Sequence, residues 1–245
     1  MDLKLDGWRV LVTGATSGIG AAIAQMLIAE GAAVVATGRH SPEGREVPGA
    51  AATFGMDLTV PDGPSQLVEQ ASDALGGLDG LVLNAGGATK ARFEESDDDT
   101  LQASFELNVM SCARAVRAAL PQLRQAPGRI LLVTALSARE PRAGQTPSNI
   151  AKAGQTALGK SLARELAVEG ILVNSLAPGR IRSAQVERLW TPEQQARFAE
   201  EHIPLGRFGD PDEAAALAAL LVSPRNTYIT GETIHVDGGM GLSLF

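Results

Sequence analysis

The chain has 245 residues, of which 44% are hydrophobic and 20% are charged, and its formal net charge at pH 7 is −7. This composition is typical of a globular protein and excludes bulk disorder, while the negative charge disfavours nonspecific nucleic-acid binding, which requires a basic face. The longest apolar run, 214–222, is about half as long as a membrane-spanning helix, so we expect no membrane partner.

The cysteine and histidine content bears on disulfide bonds and on metal sites. Cys112 is the only cysteine, so the chain cannot form an internal disulfide. One cysteine and three scattered histidines also disfavour a metal site. Because the N-terminus lacks the pattern of a secretory signal, we expect a reducing, cytoplasmic setting.

Short β-branched runs alternate with helical patterns along the whole chain. The predicted strands cover 9–13, 33–37, 51–56, 80–83, 129–134, 171–176 and 233–236, and the predicted helices cover about 18–30, 62–75, 98–126, 148–168 and 210–222. Several strands are continuous apolar runs, as expected for strands that are covered on both faces. The alternation predicts an α/β fold, a doubly wound (Rossmann) parallel sheet of about seven strands with helices on both faces. The segment 38–50 is interpreted as a loop within one domain.

A glycine-rich segment follows the first predicted strand directly. Gly14, Gly18 and Gly20 lie in the sequence TGATSGIG at 13–20, and a helix pattern begins there. Glycines allow the backbone to turn sharply and to approach a diphosphate at the positive end of the following helix. The strand–loop–helix context therefore favours dinucleotide binding over a plain tight turn.

The end of the second predicted strand bears on the choice of nicotinamide cofactor. A carboxylate there binds the ribose 2′-hydroxyl of NAD, whereas a basic residue accommodates the 2′-phosphate of NADP. Here the strand ends with Gly38 and Arg39, so no carboxylate repels the phosphate and a guanidinium can pair with it. We therefore expect NADP, with NAD possible. The alternative is that Arg39 is a solvated loop charge.

Several motifs in this order resemble those of the short-chain dehydrogenase/reductase family. TGATSGIG resembles its TGxxxGxG motif, and further matches are Asp57-Leu58, Asn84-Ala85-Gly86, Asn108, Pro178-Gly179, YITG at 228–231 and VDGG at 236–239. The resemblance covers essentially the whole chain. It implies a single NAD(P)-binding domain, 1–245, with a substrate lid at 183–206. It also places Ser17, Ile19 and Ile181 beside the cofactor.

The resemblance breaks at the catalytic positions. Active members of the family carry a serine after the fifth strand, a tyrosine thirteen residues later and a lysine four residues further on. Aligning 128–134 and the helix near 148 puts Ala135 at the serine position and Ser148 at the tyrosine position, and retains the lysine as Lys152. The only tyrosine, Tyr228, belongs to the YITG motif. Losing a well-matched general acid costs roughly 10²–10⁴ in rate.

Four polar residues remain as candidates for the chemistry, and each has an alternative. Lys152 could protonate an alkoxide, with Ser148 or a water as relay, or it could only bind ribose hydroxyls. Ser148 could instead cap its helix, since Thr146 and Pro147 precede it. Ser137 could orient a carbonyl or be a turn residue. Asn108 could hold a water, or bond backbone carbonyls where its helix deforms.

A branch similar to β-ketoacyl carrier-protein reductases also lacks the tyrosine. LSAREP at 136–141 and SN at 148–149 fit its pattern. The sequence thus predicts an NADP(H)-dependent oxidoreductase that acts on a small carbonyl or alcohol, and the alternative is an inactive cofactor-binding regulator or partner subunit. Family members pair through helices such as 98–126 and 148–168, which implies a homodimer or homotetramer. In the lid, Trp190 and Phe198 could line a pocket or pack inward.

Overall fold

Seven strands form one sheet in the computed structural model, which describes residues 2–40 and 46–244 apart from the side chain of Gln185. In chain order they are β1 (Arg9–Val12), β2 (Ala33–Gly38), β3 (Ala52–Gly55), β4 (Gly80–Leu83), β5 (Arg129–Val133), β6 (Leu172–Pro178) and β7 (Thr233–Val236). The strand order is β3-β2-β1-β4-β5-β6-β7, and every neighbouring pair is parallel. The predicted doubly wound sheet is therefore confirmed.

Helices cover both faces of this sheet. They are α1 (Gly18–Ala29), α2 (Gly63–Leu75), α3 (Asp98–Phe105), α4 (Ser111–Leu123), α5 (Thr146–Leu166), α6 (Ala184–Leu189), α7 (Pro192–His202) and α8 (Pro211–Val222). A π-helical turn, Glu106–Met110, joins α3 to α4, and short 3₁₀ turns cover Phe93–Glu95, Leu136–Ala138 and Ala167–Glu169. Helices α1 and α8 pack on one face of the sheet, and α2, α4 and α5 pack on the other.

The central strands supply side chains to two separate cores. In β1, Val10 and Val12 belong to the core under α1 and α8, whereas Leu11 belongs to the core under α2 and α4. Leu131 and Leu132 of β5 divide in the same way. Because both faces are buried, these strands carry apolar residues without alternation, which explains the continuous runs in the sequence.

Three segments differ from the sequence prediction. The predicted helix 98–126 is interrupted by the π-helical turn, and α5 begins two residues before the predicted start. The lid region contains two helices, α6 and α7. Between β2 and β3 the predicted loop contains no helix at 39–40 and 46–51, and 41–45 lie outside the described residues. Across the described ranges no helix combines the length and apolarity that a membrane crossing requires, and no cluster of metal-ligating side chains occurs.

An ion pair joins the start of β1 to the turn before β4. The Arg9 guanidinium donates from Nε to Asp79 Oδ2 at 2.7 Å and from Nη2 to Asp79 Oδ1 at 2.6 Å. The backbone N–H of Arg9 donates to the same carboxylate at 3.0 Å. Asp79 is 5% exposed, so its charge depends on these three donors.

We predict that Asp79→Ala lowers the free energy of unfolding by about 2–4 kcal/mol, because it leaves a half-buried guanidinium and a backbone donor without their acceptor. The matched control is Glu169→Ala, which breaks the more exposed pair with Arg124 and should cost less than about 1 kcal/mol. Urea unfolding of both variants measures the difference. Equal losses would contradict a structural role for the Arg9–Asp79 pair.

Candidate cofactor and substrate site

The predicted site residues meet at the carboxyl edge of the sheet. The strand order reverses between β1 and β4, and in such sheets ligands bind in the crevice at that point. The glycine-rich loop follows β1, Asn84 follows β4, Ala135 follows β5 and Gly179 follows β6. The fold thus brings together segments that are far apart in the sequence.

The glycine-rich loop packs too tightly for larger residues at two positions. Gly14 has φ +63°, and a Cβ there would lie 2.9 Å from Asn84 Nδ2. A Cβ on Gly20 would lie 2.2 Å from the carbonyl oxygen of Gly14. Asn84 Nδ2 also donates to the carbonyl oxygens of Thr13 and Gly14 at 3.1 and 2.9 Å. The Asn84 side chain therefore fixes the loop to β4.

A cleft of about 850 Å³ lies over this loop. The loop residues Ser17, Gly18 and Ile19 line it, and Ser17 precedes α1 without capping it through its side chain. The cleft is also lined by Arg39, Arg180, Arg182 and Arg188, and by no acidic side chain among the described residues. The helix N-terminus and the guanidinium groups of Arg39, Arg180 and Arg188 make it a fitting site for a polyanionic ligand, whereas Arg182 is paired with Asp210.

The residues that bear on cofactor choice lie where the cleft meets the end of β2. Arg39 is exposed and lines a small adjoining pocket together with Asp57, Leu58 and Ala85. Hydrogen bonds from the hydroxyl and the backbone N–H of Thr59, at 2.7 and 2.9 Å, hold the pKa of Asp57 below its ordinary value. The nearby Arg39 adds a smaller electrostatic contribution in the same direction. The carboxylate of Asp57 therefore stays ionised and bound to Thr59.

A second cavity, of about 290 Å³, adjoins the cleft and is lined by three of the four candidate catalytic residues, but not by Asn108. Lys152, Ser148, Ser137 and Ala135 line it. It shares several lining residues with the larger cleft: Ile19, Asn84, Gly86, Ala88, Pro178, Gly179 and Arg180. A ligand in the cleft and one in the cavity would therefore lie against some of the same residues. Ile181 lines the larger cleft, is 8% exposed and forms a backbone bridge with Gly209.

The ammonium group of Lys152 is almost completely buried. Its Nζ donates to the carbonyl oxygen of Val133 at 3.3 Å and to Gln155 Oε1 at 3.0 Å. Burial lowers the pKa of Lys152 to about 8, because the charged form loses its hydration. Lys152 can therefore gain or lose a proton near neutral pH, as a proton-transfer residue requires.

Gln155 is a site residue that no sequence motif indicated. It is fully buried, and its Nε2 donates to Cys112 Sγ at 3.4 Å, while that thiol donates to the carbonyl oxygen of Asn108 at 3.3 Å. The available signal was periodicity: Ser148, Lys152 and Gln155 share the buried face of α5. A glutamine on such a face needs polar partners, and Lys152 is one of them.

Ser148 does not cap α5, so that interpretation is wrong. The helix begins at Thr146, and the Ser148 hydroxyl instead donates to the carbonyl oxygen of Thr89 at 3.0 Å. The same hydroxyl accepts from the backbone N–H of Thr89 at 2.5 Å. Ser148 therefore ties α5 to the segment after β4. A relay role for Ser148 stays a prediction.

Asn108 lies in the π-helical turn and bonds backbone groups, as one interpretation predicted. Its Nδ2 donates to the carbonyl oxygen of Ser104 at 2.9 Å, and its Oδ1 accepts from the N–H of Gly87 at 3.3 Å. A Cβ on Gly86 would lie 2.8 Å from Asn108 Oδ1 and 3.2 Å from Lys152 Nζ. Gly86 thus lets the segment after β4 lie against both side chains. The part of Asn108 in a water chain stays a prediction.

The aromatic residues of the lid region pack against one another. The ring centroids of Trp190 and Phe198 are 5.1 Å apart in an edge-to-face arrangement, and Phe208 completes the cluster. The inward-packing interpretation is confirmed. Ser137 lies in the 3₁₀ turn after β5, as its interpretation as a turn residue requires, and it also lines the cavity.

Known proteins resemble this chain over its whole length. A family model described as enoyl-(acyl carrier protein) reductase matches residues 14–241. The 3-oxoacyl-(acyl-carrier-protein) reductase FabG of Vibrio cholerae is 35% identical over 243 residues, which cover 97% of this chain and 99% of that protein.

Two solved structures have the same fold. The L-sorbose reductase of Gluconobacter frateurii, complexed with NADPH and L-sorbose, has a TM-score of 0.92 and 30% identity, with full coverage of both chains. A short chain oxidoreductase from Pseudomonas aeruginosa PAO1, described as containing an atypical catalytic center, has a TM-score of 0.89 and 32% identity, covering 98% of this chain and 99% of that one. This chain belongs to the short-chain dehydrogenase/reductase family of oxidoreductases.

Proposed function

We propose that this protein is an NADP(H)-dependent oxidoreductase that interconverts a carbonyl compound and its alcohol, with Lys152 as the residue that exchanges the proton. The observation that carries the proposal is the buried ammonium of Lys152, which lines a small cavity that opens into the glycine-rich cleft. A dinucleotide in the cleft and a substrate in the cavity would meet beside this group.

The residues of the cleft fit NADP. Close packing at Gly14 and Gly20 lets the backbone and the N-terminus of α1 face a diphosphate, and Arg39 supplies the charge for a 2′-phosphate. The sorbose reductase with the same fold was complexed with NADPH, which supports this choice. When bound, the cofactor supplies or accepts a hydride at its nicotinamide ring.

The proton transfer falls to Lys152 because no phenol is near the cavity. The one tyrosine, Tyr228, is 97% exposed on the surface. The hydroxyl of Ser148, which stands at the proposed tyrosine position, is engaged by Thr89. In the direction of reduction, Lys152 donates a proton to the substrate oxygen as the carbonyl becomes an alcohol. In oxidation it accepts that proton. The atypical catalytic center ascribed to the Pseudomonas relative supports such a departure within this fold.

Membership of the family supports proposals about a lid and about the assembly. We propose that 183–206, which contains α6 and α7, covers the bound substrate, and that two or four copies associate through α3, α4 and α5. Two apolar side chains on this surface support the assembly, since Phe105 and Ile150 are 40% and 53% exposed.

For cofactor choice, we predict that NADPH binds more tightly than NADH by about 1–3 kcal/mol, the range of a charge-assisted contact. Arg39→Gln should remove the difference in affinity, and Arg124→Gln, which removes the same charge from an exposed ion pair just after α4, should leave that difference unchanged. Fluorescence titration with both cofactors measures this difference in affinity. Gly38→Asp is a poorer test, since a Cβ there would lie 2.8 Å from Thr16 Cγ2. Equal affinities in the wild type would contradict the assignment to NADP.

For catalysis, we predict NADPH oxidation with a ketone or aldehyde in a broad carbonyl panel, and a loss of at least about 100-fold in kcat for Lys152→Ala. A lysine that only holds ribose would mainly raise the cofactor KM instead. Because reduction needs the protonated amine, the rate should fall as the pH rises through about 8. Gln155→Leu removes an acceptor from the ammonium, lowers the pKa of Lys152 further and should move this fall to lower pH.

A wild type that binds NADPH tightly and turns over no carbonyl compound would contradict the catalytic role and favour the regulator. A pH profile that is identical in the wild type and Gln155→Leu would contradict Lys152 as the titrating group.

For assembly, we predict a dimer or tetramer by light scattering at micromolar concentration. Ile150→Arg should reduce the measured mass, because it places a charge in the proposed interface. Val60→Arg changes an apolar side chain of similar exposure that lies just before α2 and belongs to none of α3, α4 and α5, and it should leave the measured mass unchanged. A monomeric wild type would contradict the proposed assembly.

A further inference from the structure

The smaller cavity has a marked excess of positive charge. Lys152, Arg142 and Arg180 line it, and its lining contains no aspartate or glutamate in the described part of the chain. The chain as a whole is acidic, with a net charge of −7. The accumulation of three cations in one small cavity is therefore a local feature of the cavity and does not follow from composition.

Arg180 is held in place by aromatic rings of the lid region. Its guanidinium carbon lies 5.4 Å from the ring centroid of Trp190 and 5.0 Å from that of Phe198. Its Nε is buried and has no hydrogen-bond partner among the described residues. Burial, together with the charge of Arg142 nearby, lowers the pKa of Arg180 to about 10. The side chain is thus fixed in direction and incompletely satisfied.

Arg142 reaches the same cavity from the loop between β5 and α5. Its Nη2 lies 3.6 Å from Met240 Sδ, a weak acceptor. The carboxylate that acts on it, Glu140, already accepts from the backbone N–H groups of Leu242 and Ser243, each at 2.7 Å, and from the Ser243 hydroxyl at 2.9 Å. Within 2–40 and 46–244, neither Arg142 nor Arg180 has a carboxylate within 4.0 Å.

Two other arginines of neighbouring segments have carboxylate partners. Arg182, two residues after Arg180, pairs with Asp210, and Arg207 pairs with Glu213 at 2.7 Å. Two guanidinium groups that repel each other in a partly desolvated cavity are costly unless an anion joins them. A carboxylate can accept hydrogen bonds from both, and each such bond is charge-assisted.

Resting on the proposed oxidoreductase function, we propose that Arg142 and Arg180 form a subsite for a carboxylate of the substrate, so that the substrates are small oxo acids and the corresponding hydroxy acids. The cavity of about 290 Å³ suits a short chain that places its carbonyl group beside Lys152. An anion bound there would also favour the protonated form of Lys152, which is the form that reduction requires.

The cofactor alone does not account for the two arginines. Arg180 lines both the larger cleft and the smaller cavity, so it could also face a cofactor phosphate. Arg142 lines the smaller cavity and is absent from the lining of the cleft. Arg142 is therefore the residue whose replacement separates substrate binding from cofactor binding.

The test measures binding without turnover. The protein is saturated with NADP⁺ and titrated calorimetrically with pyruvate, acetoacetate and 4-oxopentanoate, and with the neutral methyl ester of each. We expect at least one acid to bind at least about 10-fold more tightly than its own ester, the effect of one charge-assisted interaction. Dihydroxyacetone phosphate and dihydroxyacetone form a further pair, which distinguishes a phosphate from a carboxylate.

Variants assign the preference to the two arginines. Arg142→Gln and Arg180→Gln should each remove the preference for the acid and leave ester binding unchanged, and Arg142→Lys, which retains the charge, should restore part of it. Arg124→Gln, just after α4 and outside both the cavity lining and the proposed lid, removes the same charge from an exposed ion pair and should keep the wild-type preference.

Several results would overturn the subsite. They are esters that bind as tightly as the acids, no binding of any acid, a phosphate ester that binds more tightly than every acid, or an Arg142→Gln variant that loses NADP⁺ affinity in step with the acid. These results are distinguishable from failure of the oxidoreductase proposal, because cofactor binding and turnover of neutral carbonyl compounds are measured separately.

Discussion

The site depends on one constraint, which is that the buried ammonium group of Lys152 needs acceptors in place of water. Lys152 meets it with two acceptors, the carbonyl oxygen of Val133 at the end of β5 and the side chain of Gln155 one turn further along α5. These bonds stabilise the charged form, but burial still lowers the pKa of Lys152 to about 8. The segment after β4 also covers the ammonium group. Gly86 lets this segment lie close to Lys152, and Asn108 holds it in place by accepting from the N–H of Gly87.

The constraint also explains why polar groups cluster under the cavity. A buried amide such as that of Gln155 needs partners for both of its ends, and it finds them in Lys152 and Cys112. Cys112 in turn donates to a carbonyl oxygen of the π-helical turn. Burial raises the pKa of this thiol, so it stays protonated and acts as a donor in the network. Charge, helix geometry and core packing are thus linked around one side chain.

Most of the architecture was predictable because it follows from sequence patterns within single strands, helices and loops. Strands such as β1 and β5 face two cores, so their residues are apolar without alternation, and glycines between a strand and a helix at this spacing are typical of a dinucleotide loop. Arg142 was not predicted as a site residue, because whether its side chain lines a cavity depends on contacts between distant segments. Gln155 was not predicted either, because its contact with Cys112 joins segments 43 positions apart. The capping role of Ser148 was wrong for the same reason, since its partner Thr89 lies 59 positions away.

The π-helical turn between α3 and α4 has a further consequence for the evolution of the chain. Such a turn holds one residue more than an α-helical turn, so the helices on either side keep the phase they would have without it. A deletion of one residue within Glu106–Met110 would therefore leave the core-facing side of α4 in place and would displace only the Asn108 region. In this short segment the run from α3 to α4 can become one residue shorter while the apolar face of α4 stays turned towards the core.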